Sequence, residues 1–288
     1  MARETHRPEA ADVGPSRREI LRCGALGLST AAFWPAQAEP AQQAELPPFV
    51  LIHGSWHGGW CWRNLTPLLI RAGFPVHTLT LTGLADRAHL LTRDVGLETH
   101  VQDVASFLEF EDLRGAVLVG HSYAGLVIGA VAEKAARRIG RLVYLDAIIP
   151  KDGQSMFDHD PGFKRFAEAN ARDLRGVKVL PPAPPLVLGV TDARDSAWMN
   201  ERLSPQPLLT YSQPVSMPEG KAKKLPRSFI WCSGWEVTKP EAAQARQEAW
   251  DFHEIKSGHD VMVIRPDELA QILTGIARPQ RPPAPAAG

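Results

Sequence analysis

Phe49-Val50-Leu51-Ile52 is apolar at every position and follows Pro47-Pro48. A strand with one wet face alternates apolar and polar residues, so a short unbroken run marks a strand covered on both faces. His53-Gly54-Ser55 then turns the chain. Residues 60–72 carry Trp62, Leu65, Leu68 and Leu69 at helical spacing and end at Gly73, and residues 75–79 extend again. Strand, helix, strand in that order is a parallel crossover unit. The spacing predicts a helix over 99–110, a strand over 116–119, a helix over 126–137 and a strand over 142–145. The expected fold is therefore α/β, a doubly wound, mostly parallel sheet with helices on both faces.

Beyond Pro150 this alternation gives way to a Pro-punctuated stretch, about 151–226, that includes Pro181-Pro182-Ala183-Pro184-Pro185 and is expected to form an inserted cap. The sheet resumes with Ser228-Phe229-Ile230-Trp231, a helix over 241–250, a strand over 252–255 and a last helix over 266–276. The folded domain is expected to span 39–277, with a Pro- and Ala-rich tail, disordered, over 278–288. With 288 residues, 44% of them hydrophobic, the chain can bury one large core.

The N-terminus reads as an address. Ser16-Arg17-Arg18-Glu19-Ile20-Leu21 precedes an apolar run, residues 23–34, and then Ala36-Gln37-Ala38. That is the three-part pattern of a twin-arginine export signal with an A-x-A cleavage site, and it predicts a periplasmic or secreted protein starting near Glu39. The run is too short for a comfortable membrane span, so no stable membrane insertion is expected. Thirty-two basic residues balance thirty-two acidic ones, so no long-range field favours nucleic acid, and the expected partner is a small uncharged molecule. Cys61 and Cys232, which remain once the signal is removed, have no metal-ligand spacing, and no metal is expected.

Val117-Leu118-Val119-Gly120-His121-Ser122-Tyr123-Ala124-Gly125 sets a serine at a tight turn between an expected strand and an expected helix. Small neighbours let the two elements approach, which is the arrangement of a nucleophile elbow. The usual G-x-S-x-G has Ala124 in its last place, where a methyl is expected to fit. A serine hydroxyl needs a base to take its proton, and His259 in Lys256-Ser257-Gly258-His259-Asp260 lies late in the chain, where triad order puts that base. His53, His57 and His121 are expected in positional roles. Two backbone N–H groups should face the developing oxyanion: that of Tyr123, and from the glycine-rich loop His53-Gly54-Ser55-Trp56-His57-Gly58-Gly59, that of Ser55. Trp56, Phe157 and Trp198 are candidates for an apolar substrate pocket, with Trp60 and Trp235 also near the site.

His53 to Trp60 and Gly120 to Gly125 together resemble the plant methyl-ester esterase and hydroxynitrile lyase family of α/β-hydrolase fold serine hydrolases. Its bacterial esterase branch is more similar still, through Leu81-Thr82-Gly83-Leu84-Ala85-Asp86-Arg87, Leu203-Ser204-Pro205-Gln206-Pro207 and Gly258-His259-Asp260. The resemblance runs from about Phe49 to Leu273 and implies an enzyme with no cofactor. It also implies a triad acid a few residues beyond Trp231-Cys232, where Trp235 stands instead. Two carboxylates offer themselves. Glu236 is one residue further on, and Asp146 closes Val143-Tyr144-Leu145-Asp146-Ala147, a place similar to that of the acid in haloalkane dehalogenases. Asp146 is preferred because the C-terminal end of a central strand lies on the edge where Ser122 and the His259 loop converge.

The reading that follows is a carboxylic ester hydrolase that acts on a small uncharged ester through an acyl-serine intermediate, with a lactone or amide as other possible substrates. A cyanohydrin-cleaving lyase is the second reading, disfavoured because the resemblance to that branch fails at a Thr in place of Gly54 and a Lys in place of Asp260. A sensor that binds a ligand without turnover is the third, resting on Trp235 alone. The oligomeric state and the acyl and alcohol parts of the substrate stay open.

Overall fold

The computed structural model describes residues 46–278; the expected export signal and all but the first residue of the expected tail lie outside them. The chain opens with β1 (Phe49–Ile52), a 3₁₀ turn (Gly59–Trp62), α1 (Thr66–Arg71) and β2 (Val76–Leu79). It continues through α2 (Leu97–Phe110), β3 (Ala116–His121), α3 (Ala124–Ala135) and β4 (Ile139–Leu145). The single helix expected over 60–72 is two pieces. Pro67 lacks an N–H and its ring would strike the carbonyl four residues back, so a helix can begin at this proline but cannot run through it.

The intervening segment carries α4 (Met156–His159), α5 (Pro161–Asn170), β5 (Arg172–Leu174), β6 (Val177–Leu180), α6 (Ala193–Asn200), β7 (Gln206–Pro207) and α7 (Leu209–Ser212). β5, β6 and β7 form a small antiparallel sheet of their own. The prolines of this stretch punctuate it: Pro161 opens α5, Pro207 ends β7, and Pro181 to Pro185 link β6 to α6. β8 (Arg227–Cys232), α8 (Lys239–Gln247), β9 (Asp251–Ile255), α9 (Val261–Ile264) and α10 (Pro266–Ala277) then complete the main layer structure.

The main sheet has six strands in the order β2-β1-β3-β4-β8-β9, all parallel. Parallel neighbours need crossovers, and these put apolar residues on both sides. Val50, Ile52, Leu118, Tyr144 and Phe229 pack with α2, α3 and α8, while Phe49, Leu51, Val119, Val143 and Ile230 pack with α1, α9 and α10. Every residue of β1 and β3 is buried, which is why neither strand shows alternation. The strand order reverses direction between β1 and β3, the switch point at which the C-terminal strand ends diverge and open a crevice. Ser55 follows β1, Ser122 follows β3, Asp146 follows β4 and His259 follows β9, so four separate loops meet on one edge.

Candidate active site

Ser122 leaves β3 with a backbone φ of 57°, the left-handed region that few side chains enter. Its N–H donates to Leu145 O at 3.2 Å, and its carbonyl accepts from Gly125 N at 3.0 Å and Ile148 N at 3.2 Å, so the strained turn is held on three sides. Two glycines make the turn possible. A Cβ at Gly120 would stand 2.7 Å from Ala124 O, and one at Gly125 would collide with the Ile148 carbonyl. The close approach behind this elbow thus falls at Gly125, and the Ala124 methyl sits buried in the core.

The Ser122 hydroxyl lies 2.8 Å from His259 Nε2, and His259 Nδ1 lies 2.6 Å from Asp146 Oδ2. Asp146 is fully buried, with a φ of 43°. Its other oxygen, Oδ1, accepts from Cys232 N–H at 3.2 Å and from the Thr238 hydroxyl, so the carboxylate has a donor for each charged oxygen. Glu236 is the carboxylate that stays away: its side chain is 76% exposed and pairs with Lys239 at 3.2 Å. Trp235, in place of an acid, stacks on the His259 ring at 4.9 Å between centroids and 22° between planes.

His121 covers the same imidazole at 4.4 Å, and its Nε2–H donates to His259 O at 3.1 Å. Burial, followed by the charge that His259 can carry, holds the His121 pKa well below the ordinary histidine range, so this ring is a neutral neighbour. Behind it, His57 donates from Nδ1 to Ser55 O at 2.7 Å and from Nε2 to Asp260 Oδ2 at 3.2 Å. Burial opposes charge on both groups, yet their mutual attraction raises His57 and lowers Asp260. His53 is neutral for a different reason. Burial lowers its pKa to about 3, and its Nε2 must stay unprotonated to accept Leu81 N–H at 3.0 Å while Nδ1–H donates to Gly54 O at 2.8 Å.

The amides of Ser55 and Tyr123 donate to no acceptor among the described residues. An N–H left unpaired at a buried position is costly unless something occupies it in use. Both lie beside Ser122: Tyr123 is its chain neighbour, and Gly54 backs onto it so closely that an added Cβ would stand 2.9 Å from Ser122 Cβ.

The expected aromatic lining divides. Trp56 packs between the two core layers, next to Ser55. Phe157 joins Phe163 and Tyr211, and Tyr211 meets Tyr123 edge-on at 5.8 Å, which links this cluster to the elbow. Trp198 instead packs edge-on against Trp60 at 5.1 Å and lies under Arg63 at 4.6 Å, neighbours that set it apart from the elbow cluster. Sequence reading missed Thr238 and Gln206. Neither has a motif signature, although Gln206 stands in the Leu203 to Pro207 stretch that carried part of the resemblance.

A family profile described as the alpha/beta hydrolase family matches residues 49–272. The carbendazim hydrolyzing esterase of Nocardioides sp. (strain SG-4G) is 39% identical over 241 residues, which cover 79% of this chain and 98% of that protein. Methylesterase 10 of Arabidopsis thaliana is 27% identical, covering 84% of this chain and 95% of its own. Among solved structures, an extracellular alpha/beta-hydrolase from a Paenibacillus species superimposes with a TM-score of 0.71 at 23% identity, over 81% of this chain and 100% of that one.

Proposed function

The chain belongs to the alpha/beta hydrolase family, and we propose that it hydrolyses small uncharged carboxylic esters with Ser122 as nucleophile, His259 as base and Asp146 as the acid that orients it. The observation that carries this reading is the continuous path from Ser122 Oγ through His259 to a fully buried carboxylate, beside two unpaired amides.

In the first half-reaction Ser122 Oγ attacks the acyl carbon as its proton passes to His259 Nε2. The imidazolium that forms is stabilised by Asp146, which holds the Nδ1–H so that Nε2 faces the serine. The negative charge on the acyl oxygen falls to the Ser55 and Tyr123 amides, and the leaving alcohol takes the proton back from Nε2. Water then repeats the sequence on the acyl-serine and returns the carboxylic acid. The names of the relatives, a carbendazim hydrolyzing esterase and a methylesterase, support an ester as the bond cleaved. A net charge of zero supports an uncharged substrate.

The lyase branch differs at Gly54 and Asp260, and a Cβ at Gly54 would stand 2.9 Å from Ser122 Cβ, which supports the esterase reading over it. The sensor alternative drew on the absence of an acid at Trp235, a role that Asp146 takes in this reading. The export pattern around Arg17-Arg18 supports a periplasmic or secreted site of action.

The test is labelling with a fluorophosphonate followed by a panel of p-nitrophenyl and methyl esters of graded acyl length. Wild type should label once and turn over the panel, and Ser122→Ala should do neither. A wild type that neither labels nor hydrolyses any member would overturn the assignment.

A further inference from the structure

Trp56, the residue after Ser55, has a backbone φ of 66°. A side chain of that bulk rarely takes the left-handed region unless its surroundings hold it there. What holds it comes from the segment between β4 and β8. Trp56 N–H donates to Gln206 Oε1 at 3.0 Å, and Trp56 O accepts from Ser204 N–H at 2.8 Å and from the Ser204 hydroxyl at 3.3 Å. The clasp is braced in turn. Gln206 is fully buried, and its Nε2 donates to Thr210 Oγ1 at 2.8 Å, whose hydroxyl donates to Pro207 O at 2.6 Å. Ser204 Oγ also accepts Ala85 N–H at 2.9 Å.

From the core side, His57 holds the Ser55 carbonyl. Every backbone polar atom from Ser55 O to Trp56 O is therefore engaged, while the Ser55 N–H just before them is left open. The Ser55–Trp56 peptide is joined to that N–H through Ser55 Cα, so a loop gripped at both polar atoms of this peptide leaves the Ser55 N–H little freedom to turn.

We propose that Gln206, assisted by Ser204, is a positioning residue for the oxyanion hole: by gripping the Trp56 peptide it fixes the direction of the Ser55 amide at Ser122. The hole is on this view built by two parts of the chain, the Tyr123 amide by the elbow alone and the Ser55 amide by the core loop together with β7. The inference rests on the reading of Ser55 as an oxyanion donor.

Gln206→Met keeps the side chain's length and removes the acceptor; Gln206→Glu keeps an acceptor at the same place. Losing an oxyanion donor outright costs about 10²- to 10³-fold in kcat, and misdirecting one costs less. Gln206→Met should lower kcat about 10- to 100-fold and weaken inhibition by a trifluoromethyl ketone, which forms a tetrahedral oxyanion on the serine, by a similar factor. KM should change by no more than about twofold, because the ground-state ester does not yet need the hole. Gln206→Glu should recover most of the loss in both readouts. Thr210→Val, which frees the Gln206 amide without deleting it, should give a smaller loss of the same kind and guards against a Met variant that fails to fold. A folded Gln206→Met with wild-type kcat would overturn the inference. So would a loss that tracks melting temperature and KM alike and is not relieved by Glu, since that is packing. A wild type inert toward every ester with Ser122 unlabelled would instead be a failure of the esterase reading itself.

Discussion

Asp146 Oδ2 reaches His259 Nδ1 across the width of an intervening strand: the carboxylate follows β4, the imidazole follows β9, and β8 lies between them. Cys232 at the end of β8 spans that gap by donating its N–H to the same carboxylate. Where a carboxylate after β8 would sit, Trp235 lies flat on the imidazole instead. The carboxylate of Asp146 and the ring of Trp235 thus contact one histidine from two neighbouring loops.

Asp146→Asn keeps the shape of this contact but removes the charge that stabilises imidazolium, and it leaves the wrong tautomer favoured. In a serine triad such a change costs about 10⁴-fold in kcat. Glu236→Gln, on an exposed side chain paired with Lys239, should change kcat by less than about twofold. Both are to be measured on one activated ester with folding checked by circular dichroism. The reverse order would move the acid to Glu236, and two near-wild-type variants would point to a Ser-His dyad.

Thr238 supplies one of the donors to the Asp146 carboxylate, and Thr238→Val deletes that donor while keeping the volume. A hydrogen bond to a buried charged group contributes about 1.5–3 kcal/mol, so urea titration should show a loss of that size with an unchanged m-value. Unaltered stability would mean that the Cys232 amide alone satisfies Oδ1.

What the sequence made legible was whatever rests on pattern along the chain. Fully apolar runs exposed β1 and β3 as covered strands, and the Gly120 to Gly125 turn with the late His259 lay in an order that topology imposes on this fold. The split of residues 60–72 at Pro67 was readable too, but the apolar spacing on both sides of the proline masked it. Contacts such as Thr238 with Asp146, Gln206 with Trp56, or His57 with Asp260 left no trace of this kind. They join residues 92, 150 and 203 positions apart, and only the folded sheet edge brings them together. Trp198 shows the converse: an aromatic residue in the cap suggests a pocket, yet packing with Trp60 and Arg63 explains it as well.

Gly54→Thr is expected to lower kcat/KM by at least about 10²-fold. Its Cβ would press on Ser122 Cβ at 2.9 Å and on His121 Nδ1 at 2.8 Å, and a displacement of about an ångström at the nucleophile has that cost. Fluorophosphonate labelling should slow in parallel. Normal labelling with normal turnover would show that the loop yields and that the glycine is not required.

Replacement of both Arg17 and Arg18 by Lys should leave the precursor in the cytoplasm, because the twin-arginine pattern is read by a receptor and not by charge alone. Fractionation and N-terminal sequencing check it: wild type should be found outside the cytoplasm and begin near Glu39. Export of the double variant at the wild-type level would remove the basis for the periplasmic or secreted assignment.

Stability should fall steeply as the solution is acidified from pH 7.5 to 5, and the cause is buried histidine. His53 is lowered to about 3 and His100 to about 4, first of all by burial, and the hydrogen bonds agree with neutral rings. His100 Nε2–H donates to Thr82 O at 2.9 Å, which leaves Nδ1 to accept from the Tyr123 hydroxyl at 3.1 Å. The unfolded chain takes up protons on these residues near pH 6.5 while the folded chain does not, so stability is lost as pH drops below 6.5 and the loss ends only near the folded values. At pH 5 each group should have cost about 2 kcal/mol, about 4 kcal/mol for the pair, and His121 adds to this in the same direction. Below pH 6.5 the His57 and Asp260 pair does not offset it. The raised His57 pKa favours the folded state more as pH falls only above 6.5, and the lowered Asp260 pKa withdraws its contribution only below 3.8. Urea unfolding at pH 7.5, 6 and 5 should therefore show the drop with a net uptake of two or more protons on unfolding at pH 5. In His100→Gln, which has no proton to gain, the slope should be smaller by about one proton; an identical slope would mean that His100 already carries its charge in the folded protein.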